Sequence, residues 1–300
     1  MASQRLQGNI KPATLSLYMP FTLAHPAAVM PLRRLKYLPT LALVVGSLTP
    51  DVPYYAPSRI FLALKETHTL YGSIVLCVPL GFLILACGVL LRRPLTALMS
   101  ARARWVSLRA IERFAAQPLN WLLAVPALII GSWTHILWDS FTHPGTWVVR
   151  RIDALSAPVT LFGIYTGEVS HVLQYASSVV GLVVIAYWYH QVASEAPADV
   201  STTANQGTFR WVLLCLVVAA AALVGSVQAV RTYNHYPSFY GMAYLLLTRI
   251  LAWFMVLYVA AGTLAAVTDR YTRNPAIPSA VPTTAAIPPI TGKKRLLERK

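Results

Sequence analysis

Four stretches of this chain, Leu70 to Leu91, Leu119 to Trp138, Val172 to Tyr189 and Trp211 to Val230, contain no aspartate, glutamate, lysine or arginine and are almost wholly apolar. A helix of roughly 20 apolar residues crosses the hydrocarbon core of a bilayer, where the backbone must satisfy its own hydrogen bonds. These stretches predict membrane-spanning helices, and a fifth is predicted between Phe239 and Thr268 although Arg249 interrupts it. Composition agrees, since 56% of residues are hydrophobic and 12% are charged, about half the charged fraction of a typical water-soluble domain. The expected fold is all-α: a polytopic helical membrane protein with about five full transmembrane helices and a short amino-terminal helical hairpin.

The charge is strongly unbalanced, with 25 Lys+Arg against 10 Asp+Glu and a net charge of +15. Nucleic-acid binders carry such an excess on a folded, polar surface. This chain has little polar surface, so no nucleic-acid partner is expected. The excess reads instead as a topology signal, because short cytoplasmic loops collect Lys and Arg. Arg92, Arg93, Arg102, Arg104, Arg109 and Arg113 follow the first span, and a second basic group, including Lys293, Lys294 and Arg295, follows Thr268. The spans between these segments are even in number, so both fall on one side, expected to be cytoplasmic. The segment before Leu70, the segment from Asp139 to His171 and the loop around His235 then face outward.

The amino-terminal apolar stretches Tyr18 to Leu32 and Leu35 to Thr49 are short for spans, and Arg33, Arg34 and Lys36 lie between them. They predict a hairpin with a basic tip that enters from the outer face. Pro20, His25, Pro26 and Pro31 break the pattern of a secretory signal, so the first span serves as its own insertion signal. Residues 1–18 read as an amino-terminal extension, 19–268 as a single membrane domain, and 269–300 as a disordered, basic cytoplasmic tail. Cys77, Cys87 and Cys215 lie in uncharged apolar stretches without zinc-finger spacing and read as small core residues.

His68, His135, Asp139, His143 and His171 all fall near the outer ends of spans. A hairpin returns its two ends to one level, which adds His25 and Asp51 to the same face. His135 and Asp139 are four residues apart and so project from one side of a helix. His143 continues the spacing, but Pro144 biases it out of helical geometry. Imidazole and carboxylate together suit zinc, manganese or iron. Taken singly, each histidine also fits a hydrogen-bonded structural role, Asp51 a cap or turn, and Trp133, Trp138, Trp147 and Trp188 interface anchors.

The strings Met19-Pro-Phe-Thr-Leu-Ala-His25-Pro26, Gly46-Ser-Leu-Thr-Pro50-Asp51-Val-Pro53-Tyr54, Thr67-His68-Thr69-Leu70 and His135-Ile-Leu-Trp-Asp139-Ser-Phe-Thr-His143, with Gln174, Tyr175, Ser177 and Ser178, resemble a bacterial integral-membrane family catalogued as a domain of unknown function, DUF4184. More distantly they are similar to membrane-bound, metal-dependent hydrolases, which carry an early histidine, a Pro-Asp pair, a Thr-His-Ser motif and a His-x-x-x-Asp motif. That similarity implies metal ligands at His25, Asp51, His68, His135 and Asp139. Thr69 stands where serine is usual, Glu66 replaces a glycine-containing lead-in, and Tyr54 follows where a second carboxylate is absent.

The expected function is hydrolysis of an ester or phosphoester of a lipid or envelope component, at the outer face of a bacterial cytoplasmic membrane. The expected cofactor is a divalent transition metal, zinc before manganese or iron. His68, His135 and Asp139 are the first ligands expected, with Asp51 and His25 completing the site or holding a second ion; His143, Glu66 and His171 are candidates for proton transfer or ligand support. No His-Glu-x-x-His or Pro-Ser-Gly-His element is present, which sets aside ordinary zincins and one class of lipid phosphatase. The alternative is a non-enzymatic membrane protein, either a metal or proton transporter or a scaffold locked by His–Asp pairs. A transporter predicts ionisable residues strung across the bilayer, whereas here they gather at one level.

Overall fold

The computed structural model describes residues 22–35, 37–56, 60, 63–161, 165–197, 200, 204–233 and 239–272. The expected extension at 1–18, Lys36, His235 and most of the carboxy-terminal tail lie outside the described residues. The membrane-sized helices are Leu70–Leu90, Pro118–Thr142, Val169–Ala193, Gly207–Thr232 and Gly241–Thr268, matching the five expected spans. Large apolar side chains stand exposed on every one of them, among them Leu83, Leu122, Val183, Leu216 and Val256. In water this would be unstable, and in lipid it is the expected inside-out pattern.

The chain enters through a 3₁₀ turn, Thr22–Ala24, helix α1 (Pro26–Val29), a second 3₁₀ turn, Pro31–Arg34, and helix α2 (Thr40–Leu48). The first limb of the expected hairpin is thus a series of short turns, because Pro26 and Pro31 each start a new one. A third 3₁₀ turn, Thr49–Tyr55, carries Pro50 and Pro53, and a fourth, Lys65–His68, leads into the first span. That span comprises α3 (Leu70–Val75) and α4 (Cys77–Leu90). The break has a direct cause: a proline clashes with the carbonyl four residues before it, and Pro79 stands four beyond Val75, where α3 ends.

Beyond the first span, the arginine-rich segment expected as a loop is helical, as α5 (Arg92–Ala97) and α6 (Ala101–Ala115). The Ser100 hydroxyl caps α6 by accepting from the Ala103 amide, and Arg104 donates to the Thr96 and Ala97 carbonyls that end α5. Helix α7 (Pro118–Thr142) follows, then a 3₁₀ turn, Val149–Arg151, helix α8 (Asp153–Ser156), and an antiparallel hairpin of β1 (Pro158–Leu161) and β2 (Tyr165–Glu168), a small addition to an all-α architecture. The long helices α9 (Val169–Ala193), α10 (Ala204–Thr232) and α11 (Phe239–Thr272) complete the bundle. Arg249 is accommodated inside α11 by donating to the Ala56 carbonyl.

The site depends on the contact of α2 with α7. A Cβ on Gly131 would lie 2.4 Å from the Leu43 carbonyl oxygen, and one on Gly46 would lie 2.5 Å from that of Leu128. Two glycines therefore let the backbones touch, as small residues do between helices in lipid. Around this crossing Val29, Leu43, Leu85, Ala124, Ala127 and Leu128 form the main buried cluster. Leu32 and Leu38, near the hairpin tip, join the same cluster as Phe114, Trp121 and Trp188, so the hairpin descends from the level of Asp51 toward α6. Of the three cysteines only Cys77 is a core residue; Cys87 and Cys215 are exposed, since they sit on helix faces that the rest of the chain leaves uncovered.

A candidate metal centre

Each potential ligand reaches the site by a local rule. His135 and Asp139 lie one turn apart in the last turns of α7, and His135 Nε2 is 3.0 Å from Asp139 Oδ2. Helix α7 ends at Thr142, and His143, with φ −110° and ψ 125°, is extended as Pro144 dictates. Asp51 is carried by the 3₁₀ turn that the prolines impose after α2 and is 3% exposed. Residues three apart eclipse on a 3₁₀ helix, which puts Tyr54 on the same side as Asp51, its ring 5.7 Å from that of His68. His68 ends the turn before α3. Thr69 caps α3 by accepting from the Gly72 amide and donating to the Glu66 carbonyl. Threonine caps as serine does, so Thr69 serves this turn as a serine would.

Asp51, His68, His135 and Asp139 bring one ligand atom each within 4.8 Å of one another. His135 Nε2 is 3.4 Å from Asp51 Oδ1, and His68 Nε2 is 3.1 Å from Asp51 Oδ1 and 3.7 Å from Asp139 Oδ2. Ligands bonded at 2.0–2.2 Å around a tetrahedral ion stand about 3.4 Å apart. The four observed edges scatter about that value.

Hydrogen bonding fixes which nitrogen of each imidazole faces inward. His135 Nδ1 lies 2.8 Å from the Ser47 carbonyl oxygen and must donate to it. In a neutral ring Nε2 then carries the lone pair. Although wholly buried beside two carboxylates, that Nε2 makes no hydrogen bond to any described residue. His68 is oriented by Thr67, 1% exposed, whose single hydroxyl proton goes to the Pro50 carbonyl at 2.8 Å. The Thr67 oxygen can therefore only accept from His68 Nδ1, 3.4 Å away, and His68 Nε2 also presents a lone pair. Two lone pairs and two carboxylate oxygens converge. Such a group repels itself unless positive charge lies in its centre, so the residues present fit a divalent transition metal, with Ser47 and Thr67 as the groups that orient its histidines.

Asp139 divides its oxygens. Oδ2 faces the four-residue group, while Oδ1 lies 3.1 Å from His25 Nε2 and 3.4 Å from His143 Nδ1. His25 is buried, and its ring stacks on that of His135 with centroids 3.8 Å apart. The structure thus brings His25 to the site but against the outer oxygen of Asp139, outside the four-residue group. His143 receives a hydrogen bond on Nε2 from the Gln174 amide of α9. Of the remaining candidates, Glu66 is exposed at the rim, and His171 lies half-buried in the first turn of α9 with its ring against Tyr175.

Burial would raise the Asp51 pKa, but the electrostatic attraction of His135 beside it holds it well below the usual carboxylate range. Burial pushes the Tyr54 phenol up, with Asp51 adding to the effect, so Tyr54 stays protonated. Burial also lowers the pKa of His143. Sequence reasoning missed the roles of Ser47, Thr67 and Tyr54. Only the adjacency of Thr67 to His68 and the three-residue step from Asp51 to Tyr54 signal them in sequence.

Thr67→Val tests the tautomer argument, since it keeps shape and removes the oxygen that His68 Nδ1 faces. Loss of an outer hydrogen-bond partner typically costs 10- to 100-fold in metal affinity. That weakening, with folding retained, is expected in competition against a chelator of known affinity.

A family model described as a domain of unknown function, DUF4184, matches residues 19–268. The chain belongs to that family. No curated protein and no solved structure matches it.

Proposed function

We propose that this member of the DUF4184 family is a membrane-bound, metal-dependent hydrolase that cleaves an ester or phosphoester of a lipid or envelope component. The observation that carries the reading is the convergence of two oriented imidazole nitrogens and two carboxylates at one end of the spans. The similarity of its motifs to those of membrane-bound, metal-dependent hydrolases supports it. The positive charges at the opposite end support an outward-facing site in a bacterial cytoplasmic membrane, with the carboxy terminus inside.

Asp51, His68, His135 and Asp139 are the proposed ligands, and the mixed nitrogen and oxygen set favours zinc over manganese or iron. When bound, the metal supplies Lewis acidity, which polarises an ester oxygen and makes water acidic enough to yield hydroxide near neutral pH. His25 holds Asp139 by its outer oxygen. Substrate approaches from the His68 side, because the His68 side chain is 29% exposed whereas His135 is sealed at 0%. Tyr54, kept protonated beside His68, donates a hydrogen bond to the substrate. His143, its Nε2 held by Gln174 and its Nδ1–H directed at Asp139 Oδ1, orients that carboxylate. Glu66, exposed, and His171, half-buried, exchange protons with water.

A panel of p-nitrophenyl esters and phosphoesters, followed by phospholipids, tests the activity in detergent. Turnover is expected to vanish with a chelator, return with zinc, and be absent in His68→Ala. It should also fall at low pH, since imidazoles must be neutral to ligate and protons compete for them. Turnover that survives both the chelator and His68→Ala contradicts the proposal. The pairing distances also suit a scaffold locked by His–Asp pairs alone, and such a scaffold predicts no response to chelator.

A further inference from the structure

At the far end of the first span from the metal centre, Leu90, Arg92, Arg93, Pro94, Thr263, Ala266 and Val267 line a cleft of about 460 Å³ between α5 and the last turns of α11. Its walls are built for permanence. Helix α5 folds back onto α11, where the Tyr258 hydroxyl donates to the Leu95 carbonyl and Ala97, Leu98 and Ala265 form a second buried cluster. Arg92 is braced by a hydrogen bond from Nη1 to the Val89 carbonyl, and its other nitrogens bond no described residue. Arg93 is exposed. Among the described residues no carboxylate lines the cleft.

The chemistry is therefore two-part: paired guanidiniums at the membrane boundary, over a wall of leucine, alanine and valine that continues into the apolar faces of two spans. We infer that this cleft binds an anionic phospholipid, its phosphate taken by Arg92 and Arg93 and the first part of an acyl chain lying along Leu90, Ala266 and Val267. Arginine forks match phosphate oxygens two at a time, and basic pockets between transmembrane helices hold anionic headgroups. A free phosphate shares the first contact and lacks the second. The apolar wall decides for lipid.

The test uses the full chain in detergent and follows the thermal unfolding midpoint during titration with dioleoyl phosphatidylglycerol, dioleoyl phosphatidylcholine or inorganic phosphate. Phosphatidylglycerol is expected to raise the midpoint at concentrations where phosphatidylcholine does not, with inorganic phosphate much weaker. Arg92→Gln with Arg93→Gln is expected to weaken the phosphatidylglycerol response roughly 10-fold or more, since each charge lost near a headgroup matters separately. Val267→Trp, which fills the cleft and keeps both arginines, is expected to weaken it too, and serves alone if the double variant does not fold. Equal responses to the two lipids, a response to phosphate matching that to phosphatidylglycerol, or cleft variants that respond as wild type each overturn the assignment.

Discussion

Asp139→Asn is expected to abolish the stabilisation that zinc confers on the purified protein. The substitution preserves shape but removes the charge of the one side chain that serves both halves of the cluster. Its Oδ2 faces His135 and His68, and its Oδ1 faces His25 and His143. A metal that binds only the folded state adds RT ln(1 + [L]/Kd) to its stability, about 2.7 kcal/mol at a hundred times Kd. Loss of a direct ligand should exceed the 10- to 100-fold cost of losing an outer hydrogen bond, so the variant should show almost none of that gain at the same zinc concentration. The measurement is the unfolding midpoint with and without zinc for both proteins. Equal zinc-induced shifts would remove Asp139 from the ligand set.

The second large effect lies away from the ligands. Gly131→Ala is expected to destabilise the protein and weaken metal binding together. The added Cβ would stand 2.4 Å from the Leu43 carbonyl oxygen and 2.8 Å from the Ser47 amide nitrogen. Both are backbone atoms and cannot swing aside, so α2 must move off α7, and overpacking of this kind costs about 1–3 kcal/mol. The Ser47 carbonyl that fixes His135 moves with α2, which links the packing fault to the site. Gly88→Ala is the control: nothing lies within 4 Å of a Cβ there, and alanine is the better helix former. A neutral or slightly stabilising Gly88→Ala beside an equally neutral Gly131→Ala would contradict the close crossing.

The spans were legible because lipid imposes one rule on long stretches, and Leu70 to Leu91 or Trp211 to Val230 satisfy it without ambiguity. The pairing of His135 with Asp139 was legible too, since helix periodicity alone places them. The hairpin gave the right level for His25 and Asp51, but the form of its first limb was set by Pro26 and Pro31, whose local breaks override apolar length. The arginine segment looked like a loop because charge dominated its reading. Its helices α5 and α6 are held by contacts distant in sequence, such as Tyr258 with Leu95, which no local pattern discloses. The orientation of the histidines was illegible for the same reason: Ser47 acts on His135 across 88 positions, through a backbone carbonyl that carries no sequence signal.

The central claim is that this cluster holds a metal, and elemental analysis of the protein purified in detergent without chelator tests it most directly. Close to one transition-metal ion per chain is expected in the wild type and little or none in Asp139→Asn. A wild type without stoichiometric metal, or a variant that retains it unchanged, would mean that Asp51, His68, His135 and Asp139 do not form a metal site.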